Sequence, residues 1–248
     1  MNTALLPAEA RRALRNRRTL IFAAVLPVVF FTTFSAGGSG TVGGLAVAPY
    51  VMVGMATYGA MNALFTDGGL IAAERAVGWN RQLRVAGLRG RDYLATKVSM
   101  AYVTAVPGLL LVFVAGALGK HVRLGAAQWV EAALSVLLGL VPVSALGVAV
   151  GYAARPQSLQ PLLGIGSALL ALLGGLWVPV ETFPRAVRDV MTLMPTYWSA
   201  DAGRAVLRGG WVGWHGVVVI AVWTVALGAL AVRGYRRDAL RPAAAGAT

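Results

Sequence analysis

Long apolar runs separated by short polar or basic stretches dominate this chain. Ahead of the first run, residues from about Leu5 to Arg18 set Leu6, Ala10, Ala13 and Leu14 on one helical face and Arg11, Arg15 and Arg18 on another. That periodicity predicts an amphipathic helix lying in a bilayer surface. The runs that follow cover roughly Thr19 to Ser35, Leu45 to Phe65, Val98 to Leu118, Trp129 to Tyr152, Leu159 to Val180 and Trp214 to Val232. Each holds about 20 residues, the length a helix needs to cross a hydrocarbon core. The pattern therefore predicts an all-α integral membrane protein with six transmembrane helices. A basic start followed by an apolar run and small residues also fits a signal peptide, but here the basic part is long and amphipathic and further spans follow.

Within the runs, Pro27, Pro107, Pro142 and Pro161 each remove a backbone donor and are expected to bend or unwind their helices. Gly147 and Gly151 form a GxxxG that would let another helix approach closely. Between the last two spans, Val187, Val190, Met191 and Met194 fall at helical spacing, with Arg188, Asp189 and Thr192 turned away. This predicts an interfacial helix capping the outer side.

Composition narrows the picture. Of 248 residues, 58% are hydrophobic and 12% charged, and the mean hydropathy is +0.70. Six spans leave no room for a water-soluble catalytic domain, so one membrane domain over residues 1–248 is expected. The net charge of +13 raises the question of nucleic acid, but the arginines stand beside apolar segments, where topology explains them and no nucleic-acid partner is needed. With the N-terminus inside, the inner segments hold 16 Lys and Arg and the outer segments 6. The positive-inside rule then puts both termini in the cytoplasm. The absence of cysteine removes disulfides, a thiolate nucleophile and cysteine metal sites.

A search for catalytic chemistry gives little. Gly119-Lys120 is followed by His121, so it does not form a phosphate-binding loop. His121 and His215 lack ligand-spaced neighbours. Ser167 in Gly164-Ile165-Gly166-Ser167-Ala168, with His215 on the next span, carries the alternative of an intramembrane serine protease. The span interiors hold essentially no Asp, Glu, Lys or Arg, since Asp67, Glu131 and Glu181 sit near predicted ends; this speaks against an ion-coupled carrier. Any cargo path would be lined by side chains such as Tyr58, Asn62, Ser99, Tyr102, Thr104, Ser135 and Ser144, which favours hydrophobic or amphiphilic cargo.

Two segments carry a family resemblance. The first runs from Glu74 through Gly78, Arg81, Leu83 and Arg84 to Lys97; the second is Gly174-Gly175-Leu176-Trp177-Val178-Pro179, then Pro184, then Met194-Pro195 and Arg204. Together with the amphipathic start, these resemble the type-2 ABC transporter permeases across nearly the whole chain. The resemblance implies that the first segment forms a coupling helix docking on a separate nucleotide-binding ATPase subunit, with Glu74, Gly78, Arg81, Leu83 and Arg84 as contacts. It further implies that Gly174, Gly175, Pro179, Pro184 and Pro195 shape short outer re-entrant helices between spans five and six. It implies a homodimer or heterodimer of permeases in the lipid of a bacterial cell membrane, exporting a drug, antibiotic, lipid or polysaccharide. No cofactor is expected in this chain, with ATP and Mg held by the partner subunit.

Overall fold

A computed structural model describes residues 17–37, 40–78, 82 and 90–239. The amphipathic helix expected up to residue 16, and most of the loop beyond Gly78, lie outside the described residues. The architecture is nearly all α. Helix α1 (Arg17–Phe34) leads to a small hairpin in which Thr41 of β1 (Thr41–Val42) pairs with Ala46 of β2 (Leu45–Ala46). Then come α2 (Val47–Gly69), α3 (Ile71–Ala76), α4 (Gly90–Gly119), α5 (Ala126–Gly139), α6 (Val141–Ala153), α7 (Pro156–Leu173), a 3-10 turn (Val180–Thr182), α8 (Arg185–Met191), α9 (Pro195–Leu207) and α10 (Trp214–Ala239).

Each apolar run of the sequence falls mainly on helix. Among the described residues, four helical stretches are long and apolar enough to cross a membrane: Asp92–Gly119, Ala126–Ala153, Pro156–Leu173 and Trp214–Ala239. Helix α2 has the length, with 23 residues, but it also carries Tyr50, Thr57, Tyr58, Asn62, Thr66 and Asp67. Its burial explains that composition. All positions from Tyr50 to Met61 are buried, so α2 is enclosed on every side. Helices α4, α6, α1 and α9 pack around it, with α7 touching one edge.

Small residues make that enclosure possible. A Cβ on Gly68 of α2 would lie 2.6 Å from the backbone of Gly147, and one on Gly151 would lie 2.5 Å from the Gly68 carbonyl oxygen. The Gly147/Gly151 pair is thus the seam between α6 and α2, as the GxxxG spacing predicts. Proline acts most visibly at Leu140, where the fourth run divides into α5 and α6 and Pro142 occupies the first turn of the new helix. Pro27, Pro107 and Pro161 lie inside continuous helices.

Three boundaries differ from expectation. Helix α7 stops at Leu173, short of Val180, because Gly174 caps it and Gly175 then takes φ +61°, a left-handed conformation open mainly to glycine. Helix α4 starts ahead of Val98, bringing Asp92, Tyr93 and Lys97 onto the helix, and α10 continues past Val232 through Asp238. These polar extensions carry a polar site at the end of the bundle that the charge count assigns to the inside, called the inner end below. At the opposite, outer end, Met191 of the expected amphipathic stripe is buried while Val187 and Val190 stay exposed. Helix α9 is inserted between α2 and α5, its Gly203 facing Val53 and Val136 and its Ser199 against Gly139.

Candidate functional site

Helix α3 is the point on which the inner end of the bundle converges. Ile71 and Ala72 are buried and seat the helix on its neighbours. The next exposed-face residues, Glu74 and Arg75, are adjacent in sequence and so lie about 100° apart around the axis. Each reaches a different partner. The Glu74 carboxylate accepts a hydrogen bond from the Tyr93 hydroxyl at 2.7 Å and an ion-paired one from Lys97 Nζ, both on α4. Arg75 turns the other way. Its Nε donates to Asp238 Oδ1 of α10 at 2.8 Å, and its Nη1 donates to the carbonyls of Tyr152 at 2.8 Å and Gly151 at 3.2 Å.

The local physics explains this arrangement. Gly151 and Tyr152 belong to the last turn of α6, whose carbonyls have no partner within their own helix, and a guanidinium at a helix C-terminus also complements the dipole. The Arg75 guanidinium carbon stands 5.5 Å from the centroid of the Tyr152 ring, and that ring meets Tyr235 of α10 edge-on at 6.0 Å. Arg75 and Asp238 retain 16% and 15% side-chain exposure, so their pairing is only partly open to water. Gly78 then turns the chain out of α3 with φ +73°; among the described residues nothing lies within 4 Å of a Cβ placed there, so its backbone conformation, and not crowding by them, requires glycine.

Of the residues expected to couple to an ATPase, Glu74 and Gly78 thus sit within one turn of each other, whereas Arg81, Leu83 and Arg84 lie outside the described residues. Sequence reading missed Arg75 and Asp238. Their 163-residue separation gives no pattern to read, although an Asp in the basic tail of an otherwise apolar helix marks a charge in need of a partner.

The outer glycines and prolines assemble a second site. A Cβ on Gly174 would fall 2.6 Å from Thr196 Oγ1, and that hydroxyl donates to the Leu170 carbonyl at 2.9 Å. Gly174 thereby lets the start of α9 press against the end of α7, and Gly175 leaves room for Val180 and Met191. Pro179 precedes the 3-10 turn, Pro184 caps α8, and Pro195 opens α9 in its first turn, where its missing N–H costs nothing. Arg204, grouped by sequence with the outer loop charges, is instead 2% exposed. Its guanidinium lies 3.7 Å from the Tyr50 ring centroid and donates from Nη2 to the Gly175 carbonyl at 3.2 Å. Gly54 of α2 gives it room, for a Cβ there would lie 3.0 Å from Arg204 Nη2 and 2.6 Å from the Leu176 carbonyl oxygen. A lone Arg in an Ala- and Gly-rich segment behind a Pro-Thr start was the available signal.

Several of the proposed path-lining residues have partners within the bundle. The Tyr102 hydroxyl donates to the Leu137 carbonyl, Thr104 bonds Asp67, and Ser144 is buried between helices. Tyr58 meets Trp177 edge-on at 5.3 Å. Ser167 donates to the Gly164 carbonyl of its own helix while His215 stacks on Trp214, so no Ser–His hydrogen bond forms among the described residues.

The ABC-2 type transporter family model matches residues 3–207. The chain is also similar to a protein of Bacillus subtilis (strain 168) described as a candidate transport permease, YvfS, with 24% identity over 218 residues, covering 87% of this chain and 89% of that protein.

Proposed function

The chain belongs to the ABC-2 type transporter family, and on that premise we propose that it is the permease subunit of an ATP-binding-cassette exporter, moving hydrophobic or amphiphilic cargo such as a drug or antibiotic out of a bacterial cell. It is a multi-pass membrane protein of transport type. In this reading residues 1–248 form one domain with six spans, α1 and α2 being the first two, both termini are cytoplasmic, and α8 and α9 are the outer re-entrant helices. A second permease copy or homologue completes the pathway, and a separate subunit binds ATP and Mg.

The observation that supports this reading best is the division of labour at α3. A six-residue helix at the mouth of an inner loop grips α4 through Glu74 and both α6 and α10 through Arg75. A partner that moves this loop therefore acts on three long helices together. Nucleotide state shifts the bundle between conformations only as far as the ATPase contacts the loop differently in each. The loop residues Gly78, Arg81, Leu83 and Arg84 make that outside contact, and Glu74 passes it to the bundle.

The test is to co-purify the ATPase subunit with chains carrying Glu74→Lys or the pair Arg81→Glu and Arg84→Glu. Buried charged contacts at an interface lose several kcal/mol when one partner is removed. Both variants are expected in the membrane, with ATPase association or stimulated hydrolysis lost. Wild-type association and efflux in both would remove the coupling assignment.

A further inference from the structure

Helix α10 is held unevenly. Only 17% of its apolar stretch is buried within the chain, and its long contact is with α6. Specific ties occur at its inner end and along its outer half. At the inner end Asp238 receives Arg75 of α3, and Gly234 lets Tyr152 approach so closely that a Cβ would lie 2.7 Å from it. Toward the outer side, the Trp223 indole N–H donates to the Leu193 carbonyl at 2.8 Å, in the link between α8 and α9, and Gly216 accommodates the Trp198 ring of α9. One continuous 26-residue helix thus joins the coupling element to the outer cap.

Building on the proposed transport role, we infer that α10 is a second output arm of the coupling element, that the Arg75–Asp238 ion pair is its input joint, and that its load is the α8–α9 cap. The alternative route to the cap runs through α2 and α9 in the core. Close-packed cores resist continuous deformation, so a helix that packs along one neighbour, with most of its apolar surface outside the core, is the mechanically freer element. Arg75 and Asp238 are positioning residues, lying apart from the loop contacts made beyond Gly78. Joined sites of this kind show non-additive substitution effects.

The chain has no cysteine, so labels can be placed without background. Spin labels at Leu118→Cys, at the outer end of α4, and Val190→Cys, on α8, sit on exposed side chains and report the cap position. The distance distribution is measured in lipid nanodiscs with the co-purifying ATPase subunit, nucleotide-free and vanadate-trapped. The wild-type pair shifts on trapping. Asp238→Asn, which keeps the side-chain shape, lowers the ratio of shifted to unshifted population about fivefold or more while ATPase association and basal hydrolysis persist. Arg75→Ala lowers it at least as far, and the double variant no further than Arg75→Ala alone.

A full shift in Asp238→Asn, or additive losses in the double variant, overturns the inference and leaves the transport reading standing. A wild-type chain that neither binds an ATPase nor shifts on trapping overturns the transport reading itself.

Discussion

The two ends of the molecule are tied by different chemistry. At the inner end Glu74, Lys97, Arg75 and Asp238 form side-chain ion pairs that keep between 15% and 26% of their surface. At the outer end the ties go mostly to backbone: Arg204 to the Gly175 carbonyl, Trp198 to that of Thr192, Trp223 to that of Leu193 and Thr196 to that of Leu170. Ion pairs that keep part of their surface exposed can exchange partners at modest cost, because nearby charges and the remaining water replace some of what is lost. A buried backbone acceptor such as the Gly175 carbonyl beneath Arg204 has no such substitute. The inner end is therefore the more exchangeable of the two.

The sharpest challenge to that contrast is at Arg204. Truncation to Ala empties the volume of a fully enclosed side chain and leaves the Gly175 carbonyl without its donor, so a loss of about 3 kcal/mol in folding stability is expected. Arg204→Met should recover much of it, since an apolar side chain of similar length fills the space without a buried charge that has no ion-pair partner within reach among the described residues. Thermal unfolding in a single detergent checks both. If Arg204→Met is as damaging as Arg204→Ala, the guanidinium contact with Tyr50 matters more than the filled volume.

A smaller effect is expected at Gly175. Alanine there must hold φ +61°, which costs an L-residue about 1–2 kcal/mol, and its Cβ also meets the Val180 side chain. Gly78→Ala, at φ +73° but with open space around it among the described residues, should cost only the backbone part. Comparing the two melting shifts separates cap rigidity from turn geometry. Equal shifts would mean that the outer turn is no tighter than the inner one.

Hydropathy made the apolar runs legible, and their order carried the family resemblance. It was less able to find the centre. Helix α2 is enclosed on all sides because Gly54, Gly59 and Gly68 admit neighbouring helices, and a helix packed by protein tolerates Tyr, Thr and Asn that a lipid-facing one would not. The end of α7 was misplaced because Leu176, Trp177 and Val178 continue the apolar run past a glycine pair that ends the helix. Arg204 looked like a loop charge because its partners, the Tyr50 ring and the Gly175 carbonyl, lie on other elements. Glu74 and Gly78 were picked out by the family resemblance, whereas the opposite grip of Arg75 needed the fold.

The smallest stability effect, and the most pointed one for the contrast, concerns the inner pairs. Glu74→Gln keeps an acceptor for the Tyr93 hydroxyl and gives up the charge that faces Lys97. Asp238→Asn likewise keeps an acceptor for Arg75, which still holds the Tyr152 and Gly151 carbonyls. Each should lower folding stability by about 1 kcal/mol or less, well below the Arg204→Ala loss. Their dependence on salt should also differ from that of the cap. Partly exposed pairs weaken as ionic strength rises, so the stability gap between wild type and Glu74→Gln should narrow between low and high salt, whereas the Arg204→Ala gap, set by packing, should not. Melting curves of the three variants across a salt series measure this directly. An inner-pair loss as large as that at Arg204, or one indifferent to salt, would mean that the inner end is as rigidly built as the outer, and α3 could not serve as the exchangeable joint.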